Sequence, residues 1–189
     1  MDSKYTKKQQ EILEITINYI SKNGMQAFSL RNIAEEIGIK QPTLYGHFQS
    51  KEEILRGVFD IYKTSITTYQ SSLIKLKASK LTKIRMYFKK MCEFIQYKPD
   101  YMNLVWLEIY QHRDIFKEDL TFILENMLKI SENGKQDENI KDGTDYKWIT
   151  NMLHGVMHVY LKQKLLSKDF DVLKNADECW ENLEKLLKT

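Results

Sequence analysis

Residues 29–51 read SLRNIAEEIGIKQPTLYGHFQSK, and the order of apolar, polar and glycine positions here decides the fold. Ser29 is a good N-cap, and Ile33, Ala34 and Ile37 follow it as one apolar stripe on a 3.6-residue period. Gly38 ends that helix, because glycine accepts the left-handed backbone of a helix C-terminus. A short turn containing it lets a second helix leave at a steep angle. That second helix begins near Gln41, with Pro42 in its first turn, where a missing N–H loses no partner and the ring fixes a helical φ. Leu44 and Phe48, four apart, point inward and leave Lys40, Gln41, Thr43 and His47 outside. A third helix opens at Ser50, where Ser50 and Glu53 spell an S-x-x-E capping box. Its first turn offers Lys51 and backbone N–H groups to an anion, and a DNA phosphate is the natural candidate. The pattern is that of a helix-turn-helix whose second helix enters the major groove.

The longer segment FSLRNIAEEIGIKQPTLYGHFQSKEEIL, residues 28–55, resembles the DNA-binding signature of the tetracycline-repressor-like (TetR) family of bacterial regulators. The likeness rests on Phe28, Ile33, Ala34, Ile37, Gly38 and Ile39, then Thr43-Leu44-Tyr45, then Phe48 and Ser50-Lys51, and covers the first quarter of the chain. It implies that Arg31, Gln41, Pro42 and Thr43 meet base edges while Tyr45, His47 and Lys51 grip phosphates. The chemistry of the side chains agrees: Gln pairs bidentately with adenine, Arg with guanine, and the Pro and Thr carbons touch a thymine methyl. Lys40 departs from the family, standing where a small or capping residue is common. It adds a phosphate or guanine contact and leaves open what caps the recognition helix. The resemblance further implies an all-α chain of about nine helices, with a helix-turn-helix DNA-binding domain at residues 1–50 and a helical ligand-binding and dimerisation domain at 51–189. Its partners would be a double-stranded DNA operator, a second copy of the chain and a small-molecule effector, with repression as the family default.

Composition is compatible with this reading without announcing it. The 189 residues are 42% hydrophobic and 29% charged, and two prolines with seven glycines favour long helices and few turns. Net charge is only +3, 29 basic against 26 acidic residues, so DNA binding has to use a local surface, with Glu35 and Glu36 expected to turn away from the duplex. The opening MDSKYTKKQQ is polar and no apolar run approaches the roughly 18 residues of a membrane span, which predicts a cytoplasmic protein. Cys92 and Cys179 lack C-x-x-C spacing and read as small buried apolar groups. Thr6 and Gln9 make another capping box for a first helix running through Ile12, Leu13, Ile15, Tyr19 and Ile20 to Asn23-Gly24, and Lys4, Lys7 and Lys8 at its approach are candidates to touch the DNA backbone, simple solvation of a basic N-terminus being the alternative.

Beyond Lys51 the periodicity predicts a long helix to about Lys77, another over Leu81 to Lys98 stopped by Pro99, one capped by Asp100 that carries Met102, Leu104, Val105, Trp106, Ile109 and Tyr110, and one over about Ile115 to Ile130. Ser131 to Asp145 is polar, with two glycines and no aromatic residue, and reads as a mobile loop. The last two helices, Tyr146 to Leu166 and Val172 to Leu187, are expected to form the homodimer interface. The former shows Ile149, Met152, Leu153, Val156 and Tyr160 on one stripe with Leu161 and Leu165 on another. The latter shows Leu173, Ala176, Trp180, Leu183 and Leu187 as a seam that suits a partner helix, while burial of both stripes within one subunit is the alternative.

The second part of the chain is rich in methionine and aromatic residues. Tyr62, Tyr87, Met91, Trp106, Tyr110, Met127 and Met152 are candidates for an adaptable pocket around an apolar or flat effector, although core packing is the ordinary role for each alone. Two i, i+4 pairs, His154 with His158 and Glu108 with His112, have metal-ligand spacing but no clear third ligand, so no metal site is assigned. No glutamate has a histidine three residues on, as a di-iron bundle requires, and Gly-rich phosphate loops and G-x-S-x-G are missing. Neither catalytic residues nor a cofactor are expected. A helical ligand-binding or protein-interaction dimer is the alternative to a DNA regulator.

Overall fold

The computed structural model describes residues 4–108 and 113–188, with the side chains at 107, 108 and 113–115 set aside. Tyr110, His112 and Ile109, and the side chains of Glu108 and Ile115, therefore lie outside the described residues. Nine α-helices carry the fold, and no strand forms among the described residues. They are α1 (Lys7–Asn23), α2 (Leu30–Ile37), α3 (Gln41–Tyr45), α4 (Lys51–Lys75), α5 (Lys80–Tyr97), α6 (Pro99–Asn103), α7 (Arg113–Glu132), α8 (Tyr146–Leu166) and α9 (Val172–Leu187). The chain divides into two compact units, Met1–Thr64 with Asn103–Phe116, and Ser65–Met102 with Lys117–Thr189.

In the first unit, α1 is set by the expected capping box. The Thr6 side chain accepts from the Gln9 N–H, and the Gln9 side chain accepts in return from the Thr6 backbone. α1 buries Ile12, Leu13, Thr16 and Ile20 and packs on α2, which packs on α3. Gly38, at φ 77°, takes the left-handed conformation that ends α2, which a β-carbon would strain. Gly57 on α4 serves a different need, since a Cβ there would meet Leu13 Cδ2 at 2.6 Å. Two helices approach closely at that point. Phe59 packs against Phe116 with tilted rings, centroids 4.7 Å apart, and the Trp106 indole donates to the Tyr62 hydroxyl at 3.0 Å in a buried contact.

The helix expected from Asp100 to Tyr110 is built differently. α5 ends before Pro99 as expected, but Pro99 and not Asp100 opens the next helix, because a first turn needs no N–H from the proline, and at Leu104–Glu108 the helix widens to π geometry. Leu104, Val105 and Trp106 are all buried.

In the second unit α5 is the central helix, packed against both α8 and α9. It buries Leu81, Ile84, Tyr87, Phe88, Met91, Cys92 and Ile95. Lys83 is buried too, and its ammonium satisfies the Ile74 carbonyl in the last turn of α4 at 3.1 Å. Burial raises the Cys92 thiol to about 12, consistent with a small apolar group in the core.

Two expectations change here. The segment after α7 is a loop, but one pinned at several points. Ala78 and Lys80 exchange backbone hydrogen bonds with Lys135, the Asp137 carboxylate accepts from the Leu81 N–H, and the Lys141 N–H donates to the Leu187 carbonyl. Its polar side chains cap neighbouring helices instead of solvating a free strap. The apolar stripes of the last helices are also reassigned. α8 turns Tyr146, Ile149, Thr150, Leu153, Met157 and Leu161 inward, so Leu161 belongs to the inner face and Met152 and Val156 sit at its margin. On α9 the seam residues Ala176, Trp180 and Leu183 are buried within the subunit, against α5, not offered to a partner.

Candidate nucleic-acid interface

The reading head is short and rigidly backed. α3 has only five residues, and Leu44 within it and Phe48 just beyond have no exposed surface. Burying one such side chain contributes roughly 1.5–3 kcal/mol, enough to hold a helix too short to be stable alone. Around these anchors Lys40, Gln41, Pro42, Thr43 and Tyr45 are exposed and His47 is half-buried. Lys40 occupies the N-cap position and makes no side-chain cap, so Pro42 and the core anchors, with no capping hydroxyl, set the helix start.

The far end of the head is fixed by a group that periodicity does not reveal. Gln9 Nε2 donates to the His47 carbonyl at 2.9 Å, so the residue that caps α1 also holds the turn after α3. Its cap role is visible in T-x-x-Q; its second bond spans 38 residues and is not. Asp60 is another such residue. Lys4 and Tyr5 both reach its Oδ2 at 2.6 Å, and Arg56 Nε reaches Oδ1 at 3.3 Å. Lys4, expected on the DNA backbone, is thus engaged by α4, and Lys8 pairs with Glu11 at 2.9 Å. Burial and the Asp60 carboxylate raise the Tyr5 hydroxyl well above its ordinary range, keeping it a donor.

Arg31 lies exposed on α2, its Nε donating to Glu35 Oε1 at 2.9 Å. Glu35 therefore shares the face of Arg31 and does not turn away from it. Lys51 opens α4 with its ammonium 4.9 Å from the centroid of the Phe28 ring. The capping box at this helix is half formed. Ser50 Oγ accepts from the Glu53 N–H, while the Glu53 carboxylate takes the Gln49 N–H one residue earlier.

The candidate effector residues fall into both units. Tyr62 and Trp106, in the first, spend their polar tips on each other, and burial lifts Tyr62 to about 12. In the second, Tyr87, Met91 and Met127 are buried and Met152 is half-buried. A cleft of about 300 Å³ in this unit is lined by other side chains, among them Arg85, Met86, Asp137, Trp180 and Glu184. The His154 and His158 rings meet edge to face at 4.8 Å, and burial, followed by the neighbouring His158, lowers His154 to about 4. Among the described residues no three His, Cys, Asp or Glu side chains converge as a metal cluster, and no helix is long and apolar enough to cross a membrane.

Comparison with known proteins agrees with this geometry. Residues 12–58 match the family described as bacterial regulatory proteins, tetR family. The chain is 24% identical over 154 residues, 79% of each sequence, to the fatty acid metabolism regulator protein of Bacillus subtilis strain 168. Its fold matches the ketosteroid transcriptional regulator KstR2 of Mycobacterium tuberculosis with a TM-score of 0.77 at 14% identity, covering 98% of this chain and 97% of that one. It also matches the FadR regulator of Bacillus subtilis, solved in complex with stearoyl-CoA, with a TM-score of 0.66 at 20% identity over 91% and 95% of the two chains.

Proposed function

We infer that this chain, which belongs to the tetR family of bacterial regulatory proteins and is not an enzyme, is a ligand-responsive repressor that binds a palindromic operator as a homodimer. The observation that carries the DNA reading is the exposed polar surface of α3 around two fully buried anchors. Gln41, Pro42, Thr43 and Arg31 are assigned to base edges, and Lys40, Tyr45, His47 and Lys51 to phosphates. Two heads reach successive major-groove faces about 34–36 Å apart only if the protein is a dimer.

The dimer is assigned to the outer face of the last two helices. Trp148, Val159 and Leu166 on α8 and Leu186 on α9 are large, apolar and exposed, which isolated subunits rarely tolerate together. The effector is assigned to the second unit, around Tyr87, Met91, Met127 and Met152. In the same unit Gln70, with no exposed surface, donates to the Ile123 carbonyl at 3.0 Å while its own oxygen has no hydrogen-bond partner, a buried polar handle available to a ligand. Because one similar regulator is named for fatty acid metabolism and one structure was solved with stearoyl-CoA, long-chain fatty acyl thioesters are the first effectors to try.

Selection of duplexes from a random pool at near-physiological salt tests the reading. An enriched palindrome is the expected result, and saturating acyl thioester should weaken its binding by about 5- to 150-fold, the usual range of allosteric coupling. No enrichment by a folded dimer, with or without effector, overturns the DNA reading. Enrichment with affinity indifferent to a panel of acyl thioesters overturns the effector class alone.

A further inference from the structure

Resting on the assignment of Arg31 to a base edge, we propose that Glu35 is the residue that makes Arg31 selective, a positioning carboxylate on the DNA-facing side of α2. The two are one helical turn apart, and the Arg31 Nε–H is already committed to Glu35 Oε1 at 2.9 Å. A guanidinium carries five donors in a rigid fork. With Nε engaged, the outward edge formed by the two terminal nitrogens remains for a bidentate acceptor, and the O6/N7 pair of guanine has that form. Glu35 thus fixes the angle at which the fork is presented.

The carboxylate also changes what Arg31 is worth to the wrong DNA. A lone Arg next to a duplex gains from any phosphate, because neutralising a phosphate releases counterions whatever the sequence. Arg31 and Glu35 together are neutral, so that gain is largely cancelled, and a close approach to the backbone brings Glu35 against like charge. Both side chains are well exposed, 77% and 63%, and an exposed i, i+4 pair does little for stability. Holding α2 together therefore accounts poorly for an acidic residue on this face. Glu36, also exposed on α2, is not bonded to Arg31 and provides the control for charge alone.

The test compares wild type, Glu35→Gln, Glu35→Ala and Glu36→Gln in duplex selection and in salt titrations of binding to the selected site and to a random duplex. Helix content by circular dichroism confirms that each variant is folded. For Glu35→Ala, binding to random duplex should strengthen, its salt slope should steepen by about 0.9 per subunit, and preference at one base position per half-site should fall about fivefold or more. Glu35→Gln keeps an acceptor for Nε but not the charge, so it should steepen the slope while retaining most of the base preference. The proposal is overturned if Glu36→Gln does the same as Glu35→Ala, or if the selected base survives unchanged in Glu35→Ala. A wild-type protein that selects no sequence overturns the DNA reading itself and takes this inference with it, so the two failures are told apart.

Discussion

The five-residue recognition helix and the sixteen-residue final helix carry the same kind of signal, apolar residues three and four apart, and the fold uses them differently. In α3 the signal means what it suggests, with Leu44 and Phe48 buried and the polar side chains outside. In α9 the spacing of 3, 4, 3 and 4 suits a partner helix, yet Trp180 and its neighbours are buried at home against α5. Periodicity states that a face is covered; it does not state by what. A very short helix packed within its own motif has one candidate cover, whereas a long amphipathic helix late in the chain has several.

The buried face of α9 can be tested directly. Trp180→Ala should cost about 3–5 kcal/mol, the usual range for removing a buried aromatic side chain. If α9 packs first on its own subunit, urea unfolding will show this loss independent of protein concentration. A loss that appears only as concentration varies would move the seam to the interface between subunits.

The next effect concerns α8, which also packs on α5. His154 is held near 4 in the folded state against about 6.5 when unfolded, so between those values the unfolded chain takes up a proton that the folded chain refuses. Its contribution is intact above about 6.5 and is lost as pH falls toward 4, reaching about 3 kcal/mol at the acid end. His154→Gln should flatten the pH dependence of stability in that window, followed by denaturant midpoints at pH 7, 6, 5 and 4. An unchanged slope would show that the imidazole is solvated and that this flank of α8 is looser than the core.

Much of the fold was legible from residues that act locally. The Thr6–Gln9 box, Ser29, Gly38 and Pro42 each impose a boundary through their own backbone or the three residues after them, and the structure places those boundaries accordingly. What escaped is non-local. The bonds from Gln9 to His47 and from Lys4 and Tyr5 to Asp60, and the contact of Gly57 with Leu13, join residues dozens of positions apart. The π turn at Leu104–Glu108 escaped as well, because its composition is that of an ordinary apolar helix. The reading head was clearest because its exposed polar residues contrast with a buried frame. In the second unit Met and aromatic residues serve the core and a pocket equally well, and pattern does not separate the two uses.

A smaller effect probes the reading head from its non-local side. Gln9→Ala removes a cap and the clamp on the His47 carbonyl, and should cost about 1 kcal/mol of stability, typical of a lost N-cap interaction. Operator affinity should fall by more than this stability loss explains, because the turn after α3 is released. Gln9→Glu retains the acceptor that caps Thr6 and lacks the amide donor, so it should recover only the cap's share of the stability while still weakening DNA binding. Equal behaviour of the two variants would reduce Gln9 to a cap.

The smallest expected change in subunit stability belongs to the outer face of α9. Leu186 is 70% exposed, so Leu186→Asp should alter monomer stability by no more than about 0.5 kcal/mol, as surface substitutions usually do. If this face meets its counterpart in a second copy, the same substitution places two carboxylates near a two-fold axis, and an isologous interface doubles every such insult. Sedimentation should then show the dimer giving way to monomer with the fold intact, while half-site binding becomes too weak to retain the palindrome. Set beside Trp180→Ala, the result separates two faces of one helix, one needed for the subunit to fold and the other for two subunits to meet. A Leu186→Asp protein that stays dimeric would return the interface to another surface and remove the physical reason for leaving Leu186 and Leu166 bare.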